Sequence, residues 1–376
     1  MWLRQSLHRT GSTSARILLP ALLLASTAFA HGGGIDGQGG HNDRAESNYH
    51  FHQGPLAGET FATKEDGTSA LQVEVEPGPT EELPRPQLPP VPLGQIRLAS
   101  FNIRVYSTGS RDDTELGLIA DRLQQFDLVA IQELRDEEVV QRTLSILEAR
   151  GHVYHAMVSP PVGRGVKERY AFLWRPEKVA PVDSGTVYSD PDDVFIREPF
   201  YASFVAGSFD FTLITIHVIF GDRVADRRAE AILLDDVYRT VQDADPEEQD
   251  VIFLGDFNLP PSDSGMGEIG ALLNPVITGD ERTTISDASL YDNFWWDARF
   301  LTEWTGAAGI DRFDEAVFGN DDDAASLAVS DHRPVWTIFS TDSDDDGLLR
   351  RTDAAPHSWA DAKTEALNND SQRDRR

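Results

Sequence analysis

The sequence contains no cysteine. That excludes disulfide cross-links, and it excludes a thiolate as nucleophile or metal ligand. Lysine is nearly absent, and arginine carries most of the positive charge. Positive charge is itself scarce: 33 Lys and Arg stand against 63 Asp and Glu, a formal net charge of -30 with pI ≈ 4.5. Such a field repels polyanions and argues against tight, sequence-independent binding to nucleic acid, unless bound divalent cations reverse its sign locally. Long apolar runs are missing too. The run from Ile17 to Leu24 is too short to span a bilayer comfortably and contains Pro20, and no other segment could cross one.

Enough apolar material remains for a sizeable core, since 40% of the 376 residues are hydrophobic. The chain divides by composition. Residues 1–30 read as a signal peptide: Arg4, Arg9 and Arg16 form a basic start, the short apolar run follows, and Ala28-Phe29-Ala30 offers small residues for cleavage after Ala30. This predicts a secreted or periplasmic monomer with no stable membrane association once the leader is removed. Residues 31–95 hold a Gly/His-rich stretch with His31, His41, His50 and His52, then a proline-rich linker. His-rich tracts can bind metal, but the spacing is not that of a zinc finger, and a flexible, solvated tail is the reading preferred here. The linker should be extended and semi-rigid.

Residues 96–340 form the expected domain. IRLASFNI, LVAIQEL, YAFLWR, FTLITIHVI, VIFLGDFN and VWTIFS read as buried strands. TELGLIADRLQQF, VVQRTLSILEARG and ADRRAEAILLDDVYRTVQDA carry apolar residues at helical spacing, with Gly151 placed as a helix C-cap. Alternating strands and helices imply a layered α/β domain. Residues 341–376 are an acidic tail. Asp342, Asp344, Asp346, Gly347 and Asp353 follow the start of a calcium loop, but Asp353 stands where a bidentate Glu belongs, so a weak Ca²⁺ site and a solvated tail remain equal readings.

Four motifs carry polar residues at the ends of apolar strands, where an α/β sheet exposes its functional groups. In SFNIR, Asn102 offers a neutral amide to a phosphate oxygen or ligand, although alone it reads as a turn residue. In IQELRDE, Glu133 places a carboxylate at the core's edge, flanked by Gln132 and Arg135, and a hard metal wants such oxygens. In FLGDFNLP, Asp256 and Asn258 lie two apart and share a side of an extended chain. Burial of an unpaired Asp there is costly, and a metal or a transferable proton would offset it. In VSDHRPVW, Asp331 and His332 are adjacent, so they should serve different partners, and His332 can exchange a proton near neutral pH.

The order N…QE…GDFN…SDH resembles the endonuclease/exonuclease/phosphatase superfamily, across essentially the whole predicted domain. Finer segments resemble its deoxyribonuclease I branch: KERYAFLWRPEKV with Glu168 and Tyr170, FIREP with Arg197, LITIHV with His217, and LYDNFWW with Tyr291 and Asp292. The resemblance implies a four-layer α/β/β/α sandwich of two packed mixed sheets flanked by helices. It implies an endonuclease that cuts DNA and leaves 5′-phosphate ends. His217 with Glu168, and His332 with Asp292, would form two His–carboxylate dyads, one activating water and one protonating the leaving 3′ oxygen. Glu133 and Asp331 would hold Mg²⁺ or Mn²⁺. Asp256, Asn258 and Asn102 would complete the phosphate and metal site, with Arg135, Tyr170 and Arg197 as substrate contacts. The sequence departs from the family in lacking its disulfides, and in carrying Val166 where the family has a tyrosine that enters the minor groove. The alternative within the superfamily is a phosphodiesterase or phosphatase acting on a phospholipid or other phosphoester. A non-enzymatic cation-binding surface protein would explain the two tails and leave the core motifs unused. His152 and His155 match no motif and read as ordinary residues, and Trp295 and Trp296 read as core packing. In so acidic a chain, Arg135 and Arg197 are equally read as salt-bridge partners.

Overall fold

The computed structural model describes residues 40–43, 48–51, 60–64, 66 and 88–342, apart from 222, 246 and 247. The signal peptide, His31, His52, and Asp344, Asp346 and Asp353 of the candidate calcium loop lie outside the described residues. The chain separates into two compact units, residues 1–81 and 82–376. Among the described residues no helix is long and apolar enough to cross a membrane.

The first unit corrects the expectation of a flexible tail. Its described residues form a three-stranded antiparallel sheet of β1 (Gly40–Asp43), β2 (Asn48–Phe51) and β3 (Thr60–Phe61). β1 pairs with β2 so that His41 stands opposite His50. Composition alone suggested a solvated tract, but Tyr49 is fully buried and supplies an apolar anchor that a glycine count does not reveal.

The second unit holds two larger sheets. One is built from β4 (Gln95–Tyr106), β5 (Leu128–Leu134), β6 (His155–Val158), β7 (Arg169–Trp174), β15 (Trp304–Ile310) and β16 (Val335–Ser340), in the order β15-β16-β4-β5-β7-β6. The other runs β13 (Asn274–Pro275), β14 (Asp292–Trp296), β12 (Val251–Asp256), β11 (Phe209–His217), β10 (Phe200–Ala206) and β8 (Ala180–Pro181), with β9 (Thr186–Val187) also on β10. Each is mixed: β4–β5 and β11–β12 pair in parallel, and their other neighbours are antiparallel. The broken apolar runs YAFLWR and FTLITIHVI thus both read correctly as strands buried on two faces.

Strand alternation divides the core into three layers. Ile96, Leu98, Leu128, Ala130 and Phe172 of the first sheet meet Phe204, Phe211, Leu213, Leu254 and Phe294 of the second. The alternate residues Ala99, Phe101, Val129 and Ile131 face α1 (Asp113–Leu123), α2 (Glu137–Ala149), and the region of α6 (Phe313–Phe318) and α7 (Asp322–Ala328). On the far side, Ile214, Ile216 and Phe253 face α3 (Val224–Ala231), α4 (Leu234–Ala244) and α5 (Gly267–Gly270). The result is the four-layer α/β/β/α sandwich. Asp112 closes a capping box on α1 and Asp136 caps α2, which fixes where both helices start. Trp295 and Trp296 are buried in the core, as expected.

One predicted helix breaks in two. The stretch from 225 to 244 is divided at Ile232–Leu233 into α3 and α4. The break lets α4 lay Leu234, Val237 and Tyr238 on the sheet, while α3 turns the buried Arg227 and Glu230 toward the loops after β11. The glycine-rich β15 and the short β8, β9 and β13 carry too little apolar pattern to announce themselves.

Candidate active site

The same alternation that builds the central layer places the polar groups. Asn102, Gln132, Tyr170, Thr215, His217, Asp256 and Asp292 all occupy the strand parity that faces between the sheets. Deep in the layer that parity carries Phe and Leu, and at one end it turns polar. Gln132 marks the transition. Its Nε2 donates to Thr215 Oγ1 at 2.9 Å and to Ser100 Oγ at 3.2 Å, with all three side chains fully buried.

Backbone irregularities shape the rim. The β4–β5 ladder shifts register between Asn102 and Tyr106, so Asn102 lies within a long strand rather than at its end. Inside that irregularity Glu133 has φ 61° and Val105 has φ 45°, and the Val105 N–H donates to Glu133 Oε2 at 2.9 Å. Left-handed backbone is unfavourable for Glu and more so for a β-branched residue, and such outliers gather at functional sites. Asn258, with φ 50°, is a third at this rim. Gly255 has φ +140°, and a Cβ there would lie 2.1 Å from the Ile216 carbonyl oxygen, so the residue before Asp256 must be glycine.

Two imidazoles face one carboxylate. Nδ1 of His217 lies 3.0 Å from Glu168 Oε2, and Nδ1 of His332 lies 2.8 Å from Asp292 Oδ2. The opposite nitrogens converge: Nε2 of His217 is 3.6 Å, and Nε2 of His332 is 3.7 Å, from Oδ2 of Asp256. Asp256 is further held by Asn102 Nδ2 at 2.9 Å and by the Asn258 N–H at 2.9 Å. Asn258 Nδ2 donates to the Val218 carbonyl at 2.7 Å.

The electrostatics follow from this packing. Burial works against ionised Glu168, but the hydrogen bond and charge of His217, with Arg197 and Arg135, prevail and hold its pKa at about 2. Burial likewise disfavours a charged His332, yet Asp292 and Asp256 outweigh it and raise its pKa well above the usual value.

Asp256, Asp292 and His332 each offer a ligand atom within 4.8 Å of the others, and all three are buried. Nδ1 of His332 is engaged by Asp292, which fixes the ring and leaves Nε2 as its available nitrogen. Asn102 Oδ1 is buried and has no hydrogen-bond partner. Glu133 and Asp331 line the same cleft of about 400 Å³ as both histidines, Asp256 and Asn258. An unsatisfied carbonyl-type oxygen beside carboxylates suits a hard divalent cation.

The conserved pattern of the Endonuclease/Exonuclease/phosphatase family matches residues 99–337. The chain belongs to that family. Two relatives carry the name deoxyribonuclease. A protein named deoxyribonuclease from Thioalkalivibrio sp. (strain K90mix) is 36% identical over 277 residues, covering 70% of this chain and 76% of the relative. Deoxyribonuclease-1 of Equus caballus is 33% identical over 262 residues, covering 64% and 90%. Among solved structures, humanized D. rerio TDP2 carrying 14 mutations aligns with TM-score 0.49 and 19% identity, over 66% of this chain and 100% of that one.

The remaining sequence-predicted residues of this family member fall in distinct places. Tyr170 is buried, and its Oη accepts the His217 N–H at 3.0 Å, so it meets the backbone of the histidine. Arg197 Nε lies 2.8 Å from Glu168 Oε2, and Arg135 lies 3.2 Å from Glu168 Oε1, which makes both of them ion-pair partners. Tyr291 lines the cleft and accepts from Arg227 at 3.0 Å. Asp342 is exposed at the end of β16 and shares nothing with the site. Asp331 and His332 precede β16 in a loop rather than occupying a strand.

Sequence reasoning missed three positioning groups. Ser330 Oγ donates to the Asn102 carbonyl at 2.6 Å and accepts from the N–H of Arg104 and of His332. Thr283 Oγ1 accepts the Asp292 N–H at 3.0 Å. Arg227 bonds the carbonyls of Phe220 and Asn258. Ser330 is the serine of the SDH motif itself and is available from it. Nothing in the helical pattern distinguishes Arg227 from its neighbour Arg228.

Proposed function

We propose that this protein is an exported, divalent-metal-dependent endonuclease that hydrolyses DNA phosphodiester bonds and leaves 5′-phosphate ends. The observation that carries the reading is the convergence of His217 Nε2 and His332 Nε2 on one oxygen of Asp256, at 3.6 and 3.7 Å. Displacement at phosphorus needs a proton taken from water on one side and a proton given to the leaving oxygen on the other. Two imidazoles, each held at Nδ1 by its own carboxylate, supply that pair of groups. One accepts the proton of the attacking water, and the other donates to the leaving 3′ oxygen.

Glu133, Asp331 and the free Oδ1 of Asn102 would hold Mg²⁺ or Mn²⁺. Bound there, the cation would stabilise charge on the phosphoryl oxygens and offset the repulsion between substrate and an acidic protein. Asp256, Asn258 and Asn102 orient the phosphate. Arg197 and Arg135 keep Glu168 ionised and place positive charge at the edge of the cleft. Tyr170 acts through the backbone of His217. Support for DNA as the substrate comes from the relatives named deoxyribonuclease. Support for export comes from the leader pattern of residues 1–30.

The test is incubation of the purified protein with supercoiled plasmid, with Mg²⁺, with Mn²⁺, and with a chelator. Nicking with either cation and none with chelator is expected, and the nicks should be sealed by DNA ligase without prior phosphorylation. No nicking under any divalent cation rejects the nuclease. Hydrolysis of a phospholipid in place of plasmid would retain the chemistry and reject the substrate.

A further inference from the structure

Phe220 is out of place for a core residue. Among the described residues it is the one aromatic in the set of exposed large hydrophobics, with 58% of its surface open. It sits three residues after His217 and lines the same cleft as His217, Asp256, Tyr291 and His332. A single exposed apolar residue is ordinary on a protein surface, but this ring lines the cleft that holds the site's histidines and carboxylates, where a ligand would meet it.

The ring is also held still. The Arg227 guanidinium lies 3.8 Å from its centroid, and Arg227 Nε donates to the Phe220 carbonyl. The same guanidinium donates to the Asn258 carbonyl at 3.3 Å and to Tyr291 Oη at 3.0 Å. Arg227 itself is buried. One face of the ring is therefore occupied by a cation fixed to two other loops of the site, and the exposed surface is left to the cleft. A preorganised aromatic loses little freedom when a ligand stacks on it.

Around Glu168 no comparable aromatic surface is offered. Arg135 and Arg197 are engaged by Glu168, and the exposed large hydrophobic of the segment leading into it is the aliphatic Val166. We infer that Phe220 is a substrate contact that stacks on a nucleobase next to the scissile phosphate, and that this site accordingly favours strands whose bases are unpaired or frayed. A base within a duplex has both faces covered by its neighbours, whereas an unpaired base has a face to give. This inference rests on the DNA-hydrolase reading above.

The experiment compares cleavage, in Mg²⁺, of one short oligonucleotide in three forms: single-stranded, annealed to its complement, and with tetrahydrofuran abasic units in place of nucleotides. The full-length protein should cleave the natural single strand with lower KM than the duplex or the abasic strand. Phe220→Ala should raise KM for the natural single strand by about five- to a hundredfold, toward that of the abasic strand, as expected for loss of one base–aromatic stack. Phe220→Trp should retain the preference. Phe220→Leu keeps apolar bulk without an aromatic face and should behave like the alanine variant. Thermal unfolding at an unchanged midpoint establishes that each variant is folded. Unchanged ratios between the three substrates in the alanine and leucine variants overturn the inference while leaving the nuclease intact. Failure of the wild-type protein to cleave any of the three overturns both.

Discussion

Asn102 donates from Nδ2 to Asp256 Oδ2 at 2.9 Å, and the bond crosses from one sheet to the other. The two dyads do the same. Glu168 and His332 adjoin strands of the first sheet, and their partners His217 and Asp292 belong to the second. The site is thus assembled by sheet packing, and these three pairs report on the registry of that packing.

Asn102→Ala removes a bond between sheets and leaves Asp256 buried with one donor fewer. A loss of kcat of about a hundredfold is expected, with destabilisation of about 1–3 kcal/mol. Plasmid nicking under saturating Mg²⁺ and urea unfolding measure the two effects. Full activity in the variant would remove Asn102 from the site.

His217→Ala and His332→Ala should each lower kcat by about 10²–10⁴-fold. Because the two rings serve one displacement, the double variant should fall far short of the product of the single losses. Multiplicative losses would mean the rings act independently. Residual activity near wild type in either single variant would dismiss that dyad.

His332 should remain protonated above neutral pH, because Asp292 and Asp256 favour its imidazolium more than burial opposes it. Asp292→Asn removes the larger of those two attractions and should lower the pKa. Titration of the imidazole resonances by NMR in metal-free protein reads this directly, and an unmoved pKa would contradict the pairing.

Glu168 contributes to stability in a defined window. Its folded pKa of about 2 lies below the ordinary 4.5, so its contribution is complete above about pH 4.5 and is lost as pH falls toward 2. The shift corresponds to about 3 kcal/mol. Glu168→Gln should lose that amount at pH 7 and show a flatter stability profile between pH 5 and 3 than wild type, by urea unfolding at each pH. Parallel profiles would mean that the pairing of Glu168 with His217, Arg197 and Arg135 does not persist in solution.

Arg333, next to His332, is a structural counterpart. Its Nε and Nη2 atoms meet Asp314 at 2.8 and 2.5 Å, and each side chain is 1% exposed. Arg333→Ala strands a buried carboxylate and should cost about 3–5 kcal/mol of stability, while Arg333→Lys should recover only part of it. Chemical unfolding gives the values, and a loss below about 1 kcal/mol would show that the site hydrates freely.

Much of this was written in the linear chain. The apolar runs ending in Asn102, Glu133, His217 and Asp256 identify both the strands and their polar tips, because strand periodicity and burial leave a visible pattern. Alternation even sets which residues share a face: Leu254 and Asp256 must point the same way, as must Leu213 and His217. The order of motifs identified the family.

The tertiary structure decided the rest. No local rule pairs Glu168 with His217, 49 residues on, or joins Asn102 to Asp256 across 154 residues. Those contacts exist because two sheets stack with polar ends aligned, and long-range packing has no periodic signature. The same packing turned Arg197 onto Glu168 and sank Tyr170 beneath His217, while the β5–β7 pairing brings Arg135 to Glu168 and the turn into α3 sets Phe220 against Arg227. The sequence named the chemical groups, and the stacking of the sheets determined which of them meet.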